Sequence, residues 1–123
     1  LAAYTCTPLV RIPVSELKGG NKVKGVTIAE LGAGNRPLDM IVYAKGGKDF
    51  ILMANSSRGV MKLPAADLDS YKPITTRTDI TGVPYETIAS LKGVQHLDKI
   101  DDASALVLIG SRASGDLRTI PLP

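Results

Sequence analysis

A short strand-like phrase recurs along this chain, and the recurrence limits the fold more than any other feature. Leu9-Val10-Arg11-Ile12-Pro13-Val14-Ser15-Glu16-Leu17 is echoed by Val60-Met61-Lys62-Leu63-Pro64-Ala65-Ala66-Asp67-Leu68, so that Ile12 and Leu63 stand 51 positions apart. Leu117-Arg118-Thr119-Ile120-Pro121 forms a shorter third echo. A period of about fifty residues implies stacked supersecondary units, each unable to bury its own apolar face without a neighbour.

Between the echoes the sequence reads as short strands. Val26 to Leu31, Leu38 to Tyr43 and Phe50 to Ala54 are aliphatic or β-branched runs separated by Gly, Pro and Asn. Gly46 and Gly47 lie between two such runs and predict a tight hairpin, because they accept the positive φ that such turns require. The Val60 to Leu68 strand contains Pro64, which cannot donate to a ladder, so the strand should lie at an edge or end near it. The same order returns as Tyr85 to Leu91, Val94 to Ile100, Ala105 to Ile109 and Leu117 to Leu122, with Leu97-Asp98 repeating Leu38-Asp39. The polar stretch from Asp69 to Gly82 reads as a loop. Pro64 to Tyr71 tolerates helix, but it is long enough for only a turn or so.

Composition narrows the classes. A hydrophobic content of 44% over 123 residues is that of a folded chain, not a disordered polar tract. The net charge of +3 comes from interspersed residues, so no nucleic-acid footprint is expected. Cys6 is the only cysteine, which excludes an intrachain disulfide and a multi-cysteine metal site. No apolar run approaches the roughly 18 residues that span a bilayer as a helix.

Four short strands per unit at this period is the pattern of a β-propeller blade. On the repeated Leu9-Val10-Arg11-Ile12-Pro13 phrase, the chain resembles the C-terminal blades of a bacterial β-propeller of the YVTN/NHL-like kind. Trp is absent, so the WD40 signature is not present. The resemblance implies an all-β fold of antiparallel four-stranded blades, forming an incomplete propeller of about two and a half. Residues 1–31 would supply strands B, C and D of one blade, 32–91 a whole blade, and 92–123 strands A, B and C of a last one. A ring of four to eight blades cannot close from these. The expected partner is therefore another polypeptide, the N-terminal remainder of the propeller, ahead of further copies of the chain. A periplasmic or secreted location is a family-level expectation.

Propellers host binding modules, scaffolds and enzymes alike, so function has to be read from sites. In the resemblance, the loops joining D to the next A and B to C share the rim of the channel mouth. That rim brings together Asn35, Arg36, Asn55, Arg58, His96 and Arg112 as candidate ligand-binding residues, with the arginines offering forked donors to a carboxylate or phosphate. Pairing of Arg36 and Arg58 with Asp39 and Asp98 is the structural alternative. His96 near Asp98 has acid–base chemistry within reach, but no motif marks a catalytic group. Asp39 and Asp98 recur at equivalent places, which points to a structural hydrogen bond to a neighbouring blade more than to a metal site. Nothing around Cys6 supports a nucleophile, and no cofactor is indicated. The expected function is a structural and ligand- or protein-binding part of a larger propeller. The alternative is part of a hydrolase, lactonase or dehydrogenase whose main catalytic groups lie on other blades.

Overall fold

A computed structural model describes residues 1–5, 8–111 and 113–123. Among them the chain is all-β, with antiparallel strands and two 3-10 turns. Strands β1 (Ala2–Ala3), β2 (Pro8–Arg11) and β3 (Val26–Glu30) begin a first sheet. Strands β4 (Pro37–Lys45), β5 (Lys48–Asn55) and β6 (Gly59–Pro64) begin a middle one. The chain then places β7 (Thr81–Gly82) against β3 and β8 (Glu86–Ile88) against β6, so both sheets have four strands. Strands β9 (Val94–Lys99), β10 (Ser104–Ser111) and β11 (Ser114–Pro121) make a third sheet of three strands.

Local chemistry accounts for the turns. Lys45 pairs with Lys48 across Gly46 and Gly47, whose φ angles of 60° and 73° give the two-residue hairpin the sequence predicts. Strand β6 ends at Pro64, before the expected Leu68, because the proline has no N–H to continue the ladder. The 64–71 stretch makes only a 3-10 turn at Leu68–Ser70. The β9–β10 hairpin is tied by Asp101, whose Oδ1 accepts the N–H groups of Ala103 at 2.8 Å and Ser104 at 2.7 Å. The Ser104 hydroxyl also donates to it, and these bonds hold the Asp101 carboxyl below its ordinary range.

The stretch read as a loop, 69–82, ends instead in a strand. Gly82 pairs with Ala29, and a Cβ at this glycine would collide with the Ile28 carbonyl oxygen and lie 2.7 Å from the Ala29 Cα. Only a bare backbone approaches β3 so closely. The Ile74 N–H donates to the Thr27 oxygen at 2.9 Å and completes the docking of this segment.

Two cores lie between the three sheets. Leu9, Ile28 and Ala29 of the first sheet meet Ile51, Met53, Met61 and Leu63 of the middle one. On the other side Tyr43, Leu52, Ala54 and Val60 meet Val94, Leu97, Ala105 and Val107 of the third sheet. Leu122 is buried in this second core. Three donors of the middle sheet reach the backbone beside it: Tyr43 Oη to the Pro123 oxygen at 2.5 Å, Lys62 Nζ to the same oxygen at 3.0 Å, and Lys45 Nζ to the Leu122 oxygen at 2.6 Å. Arg11 makes the corresponding tie on the other side, donating to the Leu68 oxygen at 2.7 Å.

Burial, and after it the charge of Glu86, raises the Tyr43 phenol above its ordinary value. An unfolded chain therefore loses this proton first as pH climbs, so the contribution to stability is complete below about pH 10 and is lost above it. Tyr43→Phe should cost about 1 kcal/mol at neutral pH through the lost hydrogen bond. It should also flatten the alkaline loss of stability relative to the parent, both read from urea unfolding between neutral pH and pH 11.

Candidate functional site

The candidate site lies where three connections meet at one end of the sheets. The β3–β4 loop contributes Asn35 and Arg36, the β5–β6 turn Ser56, Ser57 and Arg58, and the β8–β9 connection Lys92 and Gly93. Asn35 and Asn55 are buried, at 1% and 4% exposure, and a buried amide needs partners. They satisfy each other. Asn35 Nδ2 donates to Asn55 Oδ1 at 3.2 Å, Asn55 Nδ2 donates to the Met53 oxygen at 3.1 Å, and the Ser57 N–H donates to Asn35 Oδ1 at 3.2 Å.

Further bonds hold the two loops in register. The Ser57 hydroxyl donates to the Gly34 oxygen at 2.8 Å, the Arg36 N–H donates to Ser56 Oγ at 3.0 Å, and the Ser56 N–H donates to the Arg36 oxygen at 2.9 Å. Arg58 lies across this joint. Its Nη2 donates to the Ala33 oxygen at 3.3 Å, and its Nε is buried without a partner among the described residues. The guanidinium covers Gly32, where a Cβ would stand 2.5 Å from Nη2 and 2.7 Å from Cζ. Gly32 also has a φ of 96°, which side chains rarely adopt.

On the far side of the turn is a cleft of about 390 Å³, walled by residues 55–59 on one side and by Thr87, Ile88, Ala89, Lys92 and Gly93 on the other. Among the described residues its polar lining has two cationic side chains, Arg58 and Lys92, and the hydroxyls of Ser56, Ser57 and Thr87, with no carboxylate. In a site of this size, cations and hydroxyl donors without a competing acid favour a small anionic guest. No protein-family model, curated protein or solved structure matches this chain.

The structure brings part of the expected set together. Asn35, Asn55 and Arg58 are joined, with the asparagine amides holding the loops and Arg58 reaching the cleft. Arg36 is exposed beside Ser56 and is held there through its backbone. His96 is on β9, where Nδ1 approaches Asp39 Oδ2 to 3.4 Å, and it does not line the cleft. Arg112 and Cys6 lie outside the described residues. Neither Arg36 nor Arg58 pairs with Asp39 or Asp98 among the described residues.

Asp39 has a different role. Its Oδ1 accepts its neighbour's N–H, from Met40, at 2.9 Å, and its Oδ2 accepts the Leu97 N–H at 3.0 Å, tying the middle sheet to β9. The register of β4 shifts between Pro37 and Asp39, next to this bridge. Lys92 and Thr87 line the cleft without any motif in the sequence that marks them. Lys92-Gly93 is visible as a turn, but only the docking of β8 onto β6 sets Thr87 opposite the Ser57 turn.

Asn35→Ala would leave the Asn55 carbonyl and the Ser57 N–H short of a partner in a buried joint, and should cost about 1–3 kcal/mol in urea unfolding. Gly32→Ala should destabilise the chain as well, because the left-handed φ and the guanidinium both oppose a methyl group. It should also shift the Arg58 side-chain resonances, which Asn35→Ala need not do.

Proposed function

We propose that this chain is part of a larger β-propeller, in which it has a structural role and presents a basic polar loop rim for binding. The observation that carries the reading is the recurrence of Leu-Asp at 38–39 and 97–98. Asp39 accepts a backbone N–H from β9 of the next sheet. Asp98 pairs across the ladder with Leu106, on the face of the third sheet that turns away from the middle one, and its carboxylate has no hydrogen-bond partner among the described residues. A further sheet on that face would offer Asp98 the bond that the third sheet offers Asp39.

The apolar pattern supports the same arrangement. Val107 and Ala105 face the middle sheet and are fully buried, whereas Leu106 and Leu108 alternate with them on the open face. Leu117, paired with Leu108, is 62% exposed. An antiparallel sheet with aliphatic residues on both faces calls for cover on both. The first sheet starts at the two-residue β1 and has no counterpart of β4 or β9 among the described residues. The cover expected on this face is the rest of the propeller, carried by another polypeptide, ahead of a further copy of the chain.

Native mass spectrometry of the protein purified without denaturant should find it with a second polypeptide. Leu117→Lys combined with Asp98→Ala should release it, with the melting temperature of the isolated chain unchanged. A parent protein whose native mass shows no second polypeptide would overturn the reading.

A further inference from the structure

We infer that the cleft between the β5–β6 turn and the β8–β9 connection binds the tetrahedral oxyanion of a small phosphate or sulfate ester. The inference rests on the reading of this rim as a binding surface, and it names the chemistry of the guest and the residues that meet it. Donors stand on two walls, with Ser56 and Arg58 on one and Thr87 and Lys92 on the other, while the Ser57 hydroxyl is already bonded to the Gly34 oxygen. A planar carboxylate directs both oxygens into one plane and serves one wall at a time. A tetrahedral group has oxygens for both, and Arg58 and Lys92 are the cations among the described lining residues that would neutralise it.

Three further observations favour a built site over a merely basic surface. Among the described residues no acidic side chain lines the cleft to neutralise Arg58 and Lys92 internally. Arg58 makes one long bond to a carbonyl and keeps a buried Nε without a partner, so its donors are only partly satisfied among the described residues. The wall that carries it is already fixed through the Asn35–Asn55 amide bond and the Ser57–Gly34 bond, so little ordering remains when a guest arrives. The volume of about 390 Å³ exceeds what an oxyanion fills, and Ile88 and Ala89 offer apolar surface to the rest of an ester.

The test is a titration of the full chain, followed by amide NMR at fixed ionic strength, with inorganic phosphate, phenyl phosphate, phenyl sulfate and malonate. Phosphate should move the amides of Ser57, Arg58, Gly59 and Gly93 along saturable curves, and phenyl phosphate should bind more tightly than phosphate. The stronger of the two phenyl esters identifies which ester is preferred. Lys92→Gln should weaken phenyl phosphate roughly tenfold, as expected when a charge-assisted contact is lost. Thr87→Val, on the same wall but uncharged, should weaken it to a smaller degree. Malonate binding as well as phosphate, shifts that never saturate and spread over surface lysines, or Lys92→Gln binding unchanged would each overturn the inference. Leu117→Lys combined with Asp98→Ala separates the two proposals: it should release the partner and leave the phosphate curves as they are, so loss of one result does not imply loss of the other.

Discussion

The middle sheet has to bury both of its faces, and β5 is the strand that meets this demand. Ile51 through Asn55 are buried without a break: Ile51 and Met53 point into the core shared with the first sheet, and Leu52 and Ala54 into the core shared with the third. Alternation in a strand sends successive side chains to opposite faces, so a continuous aliphatic run is tolerated only where both faces are covered. Strand β5 therefore requires a sheet on each side, and the remaining elements are arranged to supply them. The ties from Arg11 to Leu68 and from Lys45 to Leu122 fasten the two outer sheets to the middle one.

Stacking the sheets in this way determines where the connections go. Strands β3, β5 and β8 deliver their following loops to the same end, which is how Asn35, Asn55 and Arg58 come together from segments far apart in the chain. The buried amide pair is costly unless every group finds a partner, and here the partners belong to the two loops themselves. A satisfied polar joint of this kind gives one wall of the cleft a single conformation. The other wall is set separately by β8, whose ladder with β6 places Thr87 opposite Met61.

Much of the strand pattern was legible in the sequence because it depends on local chemistry. The glycine pair at 46–47 specifies its turn through φ alone, and Pro64 ends its strand because it lacks a donor. The three echoes mark strands β2, β6 and β11. The short β7 was not legible, since two residues, Thr81 and Gly82, carry no periodicity and owe their pairing to the surface of β3. The candidate site was legible only in outline. Loop residues could be assigned to one rim, but His96 is engaged with Asp39 instead of facing the cleft, and Lys92 acquires its place only through the wall opposite.

By itself the sequence determined that the chain is built from short antiparallel strands, because alternation, turn glycines and strand-ending prolines act within a few residues. Tertiary structure alone decided which of its polar groups are satisfied internally and which remain available. Asp39 and Asp98 sit in the same local phrase, Leu-Asp, yet the carboxylate of one accepts the Leu97 N–H and the carboxylate of the other has no hydrogen-bond partner among the described residues. The physical reason is that a hydrogen bond between sheets depends on what is stacked beyond the strand. Nothing in the residues flanking an aspartate specifies its neighbour across a core.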